Sequence, residues 1–176
     1  MKCYVDQNGI ADIVVYKIDS QGNPLEQWCY GGSDQESLKN IIELDDGFLL
    51  VGGTKSNDGD MSNSGHHGNW DVWVARIDFN GDIIWQKCYG GTNMDYGDFV
   101  HKTSDGGFMI FANTESWDCD VVGNIPDEDP SIWIFKINGD GDLIWQQPIR
   151  GDGFEGCNDV VKINDDKYVM AGYMSL

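Results

Sequence analysis

Three stretches of sequence decide the fold: DIVVYKID at residues 12–19, DVWVARID at 71–78 and SIWIFKIN at 131–138. Each is an apolar run that ends in charged or polar residues, and each lies about 60 residues after the one before it. Self-similarity at a fixed spacing of this size is the signature of repeat architectures, in which one supersecondary unit stacks on the next. The sequence therefore predicts three copies of one structural unit.

The similarity continues through the rest of each unit. A glycine turn follows each opening, at Gly22, Gly81 and Gly141, and predicts a tight hairpin. The segments after the turns read PLEQWCYGG, IIWQKCYGG and LIWQQPIRG, and the last apolar segments read FLLVGGT, FMIFANT and YVMAGYM. We therefore divide the chain into a lead-in at 1–11 and three units at 12–70, 71–130 and 131–176.

Each unit has four short apolar segments that are typical of β-strands. The first and fourth, such as residues 72–77 and 108–112, are apolar on both faces, so both of their faces must be covered. Small four-stranded sheets stacked face to face supply that cover. We predict an all-β, β-propeller-like fold of three four-stranded antiparallel blades. A β-sandwich of twelve strands is the alternative, but it does not account for the regular period.

Three blades are too few for a closed ring, because propellers have about four to eight. The sequence therefore predicts either a partial propeller, continued by further blades of a longer chain, or one half of a six-bladed homodimer. Recurrent tryptophans, Trp73 and Trp133 at one position and Trp85 and Trp145 at another, are expected to wedge between neighbouring sheets. Trp28 lies close to the second position in the first unit.

Charge and cysteine content narrow the function classes. Lysine and arginine total 11 against 30 acidic residues, giving a net charge of −19, which disfavours nucleic acid and anionic membranes as partners. The five cysteines form an odd set without a CxxC pair, so we expect free thiols instead of a disulfide framework or a zinc site. No charged-then-apolar signal segment follows Met1, which leaves a cytoplasmic location open.

The run WVARIDFNGDIIWQKCYGGTNMDYGDFVHKTSDGGFMIFANT at residues 73–114 resembles the repeats, about 60 residues long, of secreted and surface proteins of Bacteroidota. The segment at residues 56–71, SNDGDMSNSGHHGNWD, is similar to the linkers between those repeats. A weaker likeness connects IDFNGDIIW and INGDGDLIW to the tryptophan-docking repeats of quinoprotein-like propellers. The resemblance implies a propeller fold and a secreted or cell-surface location, and it implies no particular ligand.

Acidic linkers are the most visible chemical feature. The first carries Asp58, Asp60 and Asp71, and the second carries Asp118 and Asp120. Alternating carboxylates in a Gly-rich loop can converge on Ca²⁺, which takes six to eight oxygen ligands. These five residues are the candidate calcium ligands. The alternative is a pair of solvated loops in which Asp and Asn stabilise turns.

Three loops at equivalent positions of the units, residues 31–36, 90–95 and 151–155, form the candidate ligand surface. They carry polar and aromatic residues, of which we single out Asp34, Asn93, Asp95 and Phe154. No phosphate-binding loop, nucleophile elbow or zinc-protease motif is found in the sequence. We therefore expect a non-catalytic module that binds or scaffolds, with a glycan or another surface protein as partner. The alternatives are a carbohydrate-active hydrolase or lyase and a purely structural spacer.

Overall fold

The structure is a computed structural model that describes residues 12–126, 130–151, 154–164 and 167–175. In this part of the chain it has twelve strands and one short 3₁₀ helix, Gly59–Met61. The strands are β1 (Ile13–Ile18), β2 (Pro24–Tyr30), β3 (Glu36–Leu44), β4 (Gly47–Thr54), β5 (Asp71–Asp78), β6 (Ile83–Tyr89), β7 (Asp95–Lys102), β8 (Phe108–Thr114), β9 (Ser131–Ile137), β10 (Leu143–Ile149), β11 (Phe154–Asn164) and β12 (Lys167–Ser175).

These strands form four antiparallel sheets, and the predicted all-β class is confirmed. Two sheets have four strands, in the orders β3-β4-β5-β6 and β7-β8-β9-β10. The pairs β1-β2 and β11-β12 form two-stranded sheets. Each sheet is a meander, because its strands are neighbours in both sequence and space.

The sheets and the sequence units are offset by two strands. Strand β4 ends the first unit and pairs along its whole length with β5, which begins the second. Strand β8 pairs with β9 in the same way across the next boundary. These four strands, β4, β5, β8 and β9, are the central strands of the two sheets, and their apolar side chains are largely buried on both faces, as the sequence predicts. Each four-stranded sheet therefore combines the second half of one unit with the first half of the next.

Glycine turns join the strands of the predicted hairpins. Gly81, with φ of +86°, lies in the connection between β5 and β6, and Gly141, with φ of +79°, lies in that between β9 and β10. The Asp78 carboxylate accepts hydrogen bonds from the backbone N–H groups of Asn80 and Asp82, which holds the first of these turns. In each turn only the glycine has a positive φ, whereas a two-residue type I′ turn needs two such residues. The hydrogen bonds from the backbone to the Asp78 side chain help to stabilise the turn at Gly81.

The sheets pack face to face in chain order. The largest apolar cluster lies between the two four-stranded sheets and includes Val51 and Val72 from one and Val100, Ile110 and Phe135 from the other. Two further clusters lie under the two-stranded sheets, one between β1-β2 and the β3–β6 sheet and one between the β7–β10 sheet and β11-β12. Strand β7 contacts β3 of the preceding sheet and β11 of the following one.

Three of the four recurrent tryptophans, Trp73, Trp133 and Trp85, lie between sheets as predicted, whereas Trp145 is 41% exposed. Trp73 and Trp133 are fully buried, and their indole N–H groups donate to Gln86 and Gln146 at 2.8 Å. Trp85 packs against the next sheet and donates to the carbonyl of Gly139 at 3.1 Å.

The expectation that all five cysteines are free thiols is wrong for Cys29, which is disulfide-bonded. Cys88 and Cys157 are free and buried, and Cys119 is free and exposed. An odd total of five cysteines is compatible with a disulfide bond as well as with five free thiols, so the count alone could not decide this point.

Within the part of the chain that the structure describes, no helix has the length and apolar character needed to cross a membrane.

Candidate functional site

The linker carboxylates predicted to bind calcium accept hydrogen bonds from the backbone of two loops, residues 31–35 and 90–94, which each begin with two glycines and which we call the Gly-Gly loops. Asp58 accepts from the N–H of Ser33 at 2.8 Å, and Asp60 accepts from the N–H of Gly31 at 3.2 Å. In the second unit, Asp118 and Asp120 accept from Thr92 at 2.9 Å and from Gly90 at 3.3 Å. Among the described residues, no group of three or more His, Cys, Asp or Glu side chains is arranged to hold a metal ion.

The fifth predicted ligand, Asp71, is fully buried at the start of β5. One carboxylate oxygen accepts from the backbone N–H of His67 at 2.6 Å and lies 2.9 Å from its ring Nδ1. The other oxygen has no hydrogen-bond partner within the described part of the chain. Burial raises the pKa of Asp71, although both contacts with His67 oppose the shift. The calcium site stays a prediction, which equal melting temperatures in excess calcium and in excess chelator would contradict.

The residues predicted to form the ligand surface do not share one environment. Asp34 is exposed, and Asn93 is half-buried with its amide donating to the Glu115 carbonyl at 2.9 Å. Asp95 is fully buried, where it accepts from Thr114, from Ser116 at 2.8 Å and from the Gly91 N–H at 2.8 Å. Phe154 begins β11, and its side chain lies outside what the structure describes.

Asp95 has an equivalent in the first unit. Glu36 begins β3, is almost fully buried and accepts from the Thr54 hydroxyl at 2.8 Å and from the Gly32 N–H at 3.2 Å. Burial raises the pKa of Glu36, and it raises that of Asp95 to about 6. Glu36 and Asp95 are buried and bind the backbone N–H groups of the Gly-Gly loops. A ligand on the surface of these loops would therefore not reach Asp95.

A different group of residues lines a cavity that combines polar and aromatic side chains. This cavity, which we call the aromatic pocket, has a volume of about 440 Å³. Its lining comprises three aromatic residues and several polar ones: Trp70, Tyr96, Tyr173, Ser37, Lys39, Asp98, Asn113, Thr114 and Glu115, together with Met94 and Pro130. The Trp70 and Tyr96 rings pack against each other with centroids 4.9 Å apart. Such a combination of apolar faces with a few fixed polar groups is typical of small-molecule sites.

Two β-bulges place charged residues at the aromatic pocket. The register of β3 against β4 shifts between Leu38 and Asn40, and Lys39 lies at that shift. The register of β7 against β8 shifts between Gly97 and Phe99, and Asp98 lies there. A bulge re-aims a side chain that would otherwise follow the alternation of the strand. The equivalent shifts in these two strands therefore bring a cation and a carboxylate to the same cavity.

The two acids of the aromatic pocket, Asp98 and Glu115, are half-buried. Burial raises the pKa of Asp98 to about 6, against the opposing effects of Lys39 and of a hydrogen bond from the Asn113 amide. Burial also raises the pKa of Glu115. The Asn113 side-chain oxygen is buried and has no hydrogen-bond partner among the described residues. The pocket thus offers two carboxyl groups of raised pKa, an amide, an ammonium group and aromatic faces.

The sequence reasoning missed this pocket. Asp98 lies between glycine and phenylalanine in the segment YGDFV, and a carboxylate beside the apolar pair Phe99 and Val100 was the available signal. Lys39, Trp70 and Glu115 carry no such signal, because they come from different strands and linkers that only the fold brings together.

No model of a known protein family matches the chain, and no curated protein is significantly similar to it.

Proposed function

We propose that this chain is a non-catalytic β-propeller repeat module that binds a glycan in the aromatic pocket, as part of a secreted or cell-surface assembly. The observation that carries the proposal is the Trp70–Tyr96 pair beside Lys39, Asp98 and Asn113 in one cavity. Aromatic faces cover the apolar C–H faces of sugar rings, and amide and carboxylate groups bind their hydroxyls. The stacked sheets and the sequence repeat support the propeller part of the proposal.

The chemistry of the pocket also favours a neutral or hydroxyl-rich ligand over an anionic one. Asp98 and Glu115 line the cavity together with one lysine, Lys39. The whole chain carries a net charge of −19, so an anionic polymer would be repelled at a distance as well. A glycan array with neutral, sulfated and uronate-containing oligosaccharides is the direct test.

The test uses a matched pair of aromatic variants. Tyr96→Ala removes a ring of the pocket, and we expect glycan affinity to fall about tenfold or more because stacking area is lost. Trp117→Ala removes an exposed ring outside the pocket and should leave affinity unchanged. Equal binding by both variants, or no binding of the parent protein to any glycan, would contradict the proposal.

One observation favours a second candidate, a carbohydrate-active hydrolase. A carboxylic acid whose pKa is near 6 stays partly protonated near neutral pH and can act as a general acid, and Asp98 meets this condition with Glu115 lining the same cavity. Release of reducing ends from a polysaccharide panel, lost in Asp98→Asn, would support the hydrolase. Binding without release of reducing ends would support the non-catalytic module.

A further inference from the structure

We propose that the two-stranded sheet β11-β12 of one copy of this chain pairs edge to edge with the sheet β1-β2 of a second copy. The strands that meet are β12 and β1, and the product is a four-stranded sheet of the same order as the two complete ones. This inference goes beyond the proposed function, which concerns a pocket and does not depend on self-association.

The register of the pairing follows from the complete sheets. Strand β4 pairs with β5 and β8 pairs with β9 at equivalent positions, with Leu49 opposite Arg76 in the first case and Met109 opposite Lys136 in the second. In the third unit and in the first, the same positions are held by Val169 in β12 and Lys17 in β1. The repeat therefore sets Val169 opposite Lys17 of the second copy.

The apolar side chains of the two edge strands are exposed where their equivalents are buried. On β1, Val14, Tyr16 and Ile18 are 40%, 56% and 59% exposed. The residues at the same positions of the complete sheets are all fully buried: Trp73, Ala75, Ile77, Trp133, Phe135 and Ile137. On β12, Val169 is 54% exposed. Pairing of β1 with β12 of the second copy would place this face of β1 against the β7–β10 sheet of that copy, as the equivalent faces of β5 and β9 lie against the sheets that precede them.

Neighbouring sheets are also joined by contacts between a tryptophan ring and a glycine turn. The ring of Trp28 lies so close to the Gly81 turn that an added Cβ there would fall 2.5 Å from it. Trp85 covers the Gly141 turn in the same way, where the added Cβ would fall 2.9 Å from the ring. In both cases a tryptophan of one sheet packs on the glycine turn of the next.

The third contact of this type is incomplete within one copy. Trp145, the equivalent of Trp85, is 41% exposed and lines a groove of about 560 Å³ with Met109, Phe111 and Tyr168. Gly22, the equivalent turn glycine, has open space where a Cβ would lie. The β1-β2 sheet of a second copy, placed by the β12–β1 register, brings its Gly22 turn toward Trp145. One placement thus accounts for an exposed edge, an open groove and an uncovered glycine.

Electrostatic repulsion opposes this association. Each copy carries a net charge of −19, so two copies repel each other at low ionic strength. Salt screens this repulsion, since the Debye length is about 10 Å at 0.1 M ionic strength and becomes shorter as salt is added. The dimer is therefore expected to strengthen as salt rises from about 0.15 M to about 0.5 M.

Light scattering after size exclusion tests the proposal with a matched glycine pair. Gly22→Asn keeps a residue that tolerates the left-handed backbone but places a side chain where Trp145 of the second copy would pack, and it should weaken the dimer about tenfold or more. Gly65→Asn has the same backbone conformation and the same open space away from this surface, and it should leave the dimer intact. A monomeric parent protein at both salt concentrations, or equal effects of the two variants, would overturn the proposal.

Cysteine cross-linking tests the register. In a Cys119→Ser background, which removes the exposed thiol, Lys17→Cys with Val169→Cys should give a covalent dimer on mild oxidation. Lys17→Cys with Ala171→Cys, two residues out of register on the same face, should cross-link much less. Cross-linking of the second pair alone would overturn the predicted register.

Discussion

The two linkers, residues 55–70 and 115–130, begin alike and end differently. Each follows a threonine that ends a strand and donates to a buried acid, Thr54 to Glu36 and Thr114 to Asp95. Each linker then carries carboxylates that accept hydrogen bonds from the backbone of a Gly-Gly loop. The first linker closes with His67 bound to the buried Asp71. The second closes with Ser131, at the position of Asp71, donating to Asn124 at 3.2 Å.

This difference separates what the fold requires from what it tolerates. The loop contacts recur because both four-stranded sheets need the same loops held in the same place. The closing contact tolerates either an ionisable pair or a neutral one, but the buried acid adds a desolvation cost that the serine avoids. We therefore expect the first linker to depend more on its closing residues, and on pH, than the second.

The largest expected effect comes from the part that the linkers share. Asp95→Ala leaves the Thr114 and Ser116 hydroxyls and the Gly91 N–H without their acceptor, which should lower the free energy of unfolding by about 3 kcal/mol. Glu36→Ala removes two such bonds and should cost about 2 kcal/mol. Urea denaturation measures both, with the exposed Asp34→Ala as control. A smaller effect for Asp95 than for Glu36 would contradict this ranking.

Next come the closing contacts, where the linkers differ. His67→Ala leaves Asp71 buried without its ring partner and should cost about 2 kcal/mol. Asn124→Ala removes a neutral acceptor of Ser131 and should cost about 1 kcal/mol. Denaturation at neutral pH compares the two. Equal costs would show that the ionisable pair behaves as a neutral one.

A smaller effect is expected from pH. Burial raises the pKa values of Asp95 and Asp98 from the usual 3.8 to about 6, so the folded protein holds these protons more tightly than the unfolded chain. Their protonation therefore contributes stability that is fully present below about pH 4 and is lost as the pH rises through about 6. Asp98→Asn, which cannot titrate, should flatten the dependence of the melting temperature on pH. An unchanged slope would show that Asp98 titrates normally.

The smallest effect on stability is expected for the linker carboxylates that bind the Gly-Gly loops near the protein surface. Asp118 accepts from both the backbone and the hydroxyl of Thr92, whereas Asp58 accepts from the Ser33 backbone. Asp118→Ala should cost about 1 kcal/mol and Asp58→Ala about half as much, because these bonds are partly open to water. Thermal melting of the two variants side by side would detect a reversed order.

Local patterns predicted the strands well, because apolar segments and glycine turns act over a few residues. Hairpins at Gly81 and Gly141 and the buried positions of Trp73 and Trp133 follow from such patterns. The pairing of β4 with β5 across a linker of about sixteen residues does not, since nothing local states which strands meet.

The candidate site was harder to predict for the same reason. Asp95 looked like a surface residue because its loop is polar, yet its oxygens are turned inward to Thr114 and Ser116. Lys39 and Asp98 reach the aromatic pocket through bulges, which shift a side chain by one residue against the expected alternation. The alternation of apolar and polar residues in one strand does not reveal such a shift, because a bulge is defined by the pairing with the neighbouring strand.

The offset between sequence units and sheets also bears on how this chain can be cut or extended. A break between residues 70 and 71 separates two repeats but severs the middle of a sheet, while a break between residues 89 and 95 leaves whole sheets on both sides. A four-stranded repeat inserted between β6 and β7 would form a complete sheet of its own and would preserve every existing ladder, whereas one inserted between residues 70 and 71 would replace the β4–β5 ladder with two new ones. The sequence repeat and the folding unit of this architecture therefore need not share a boundary.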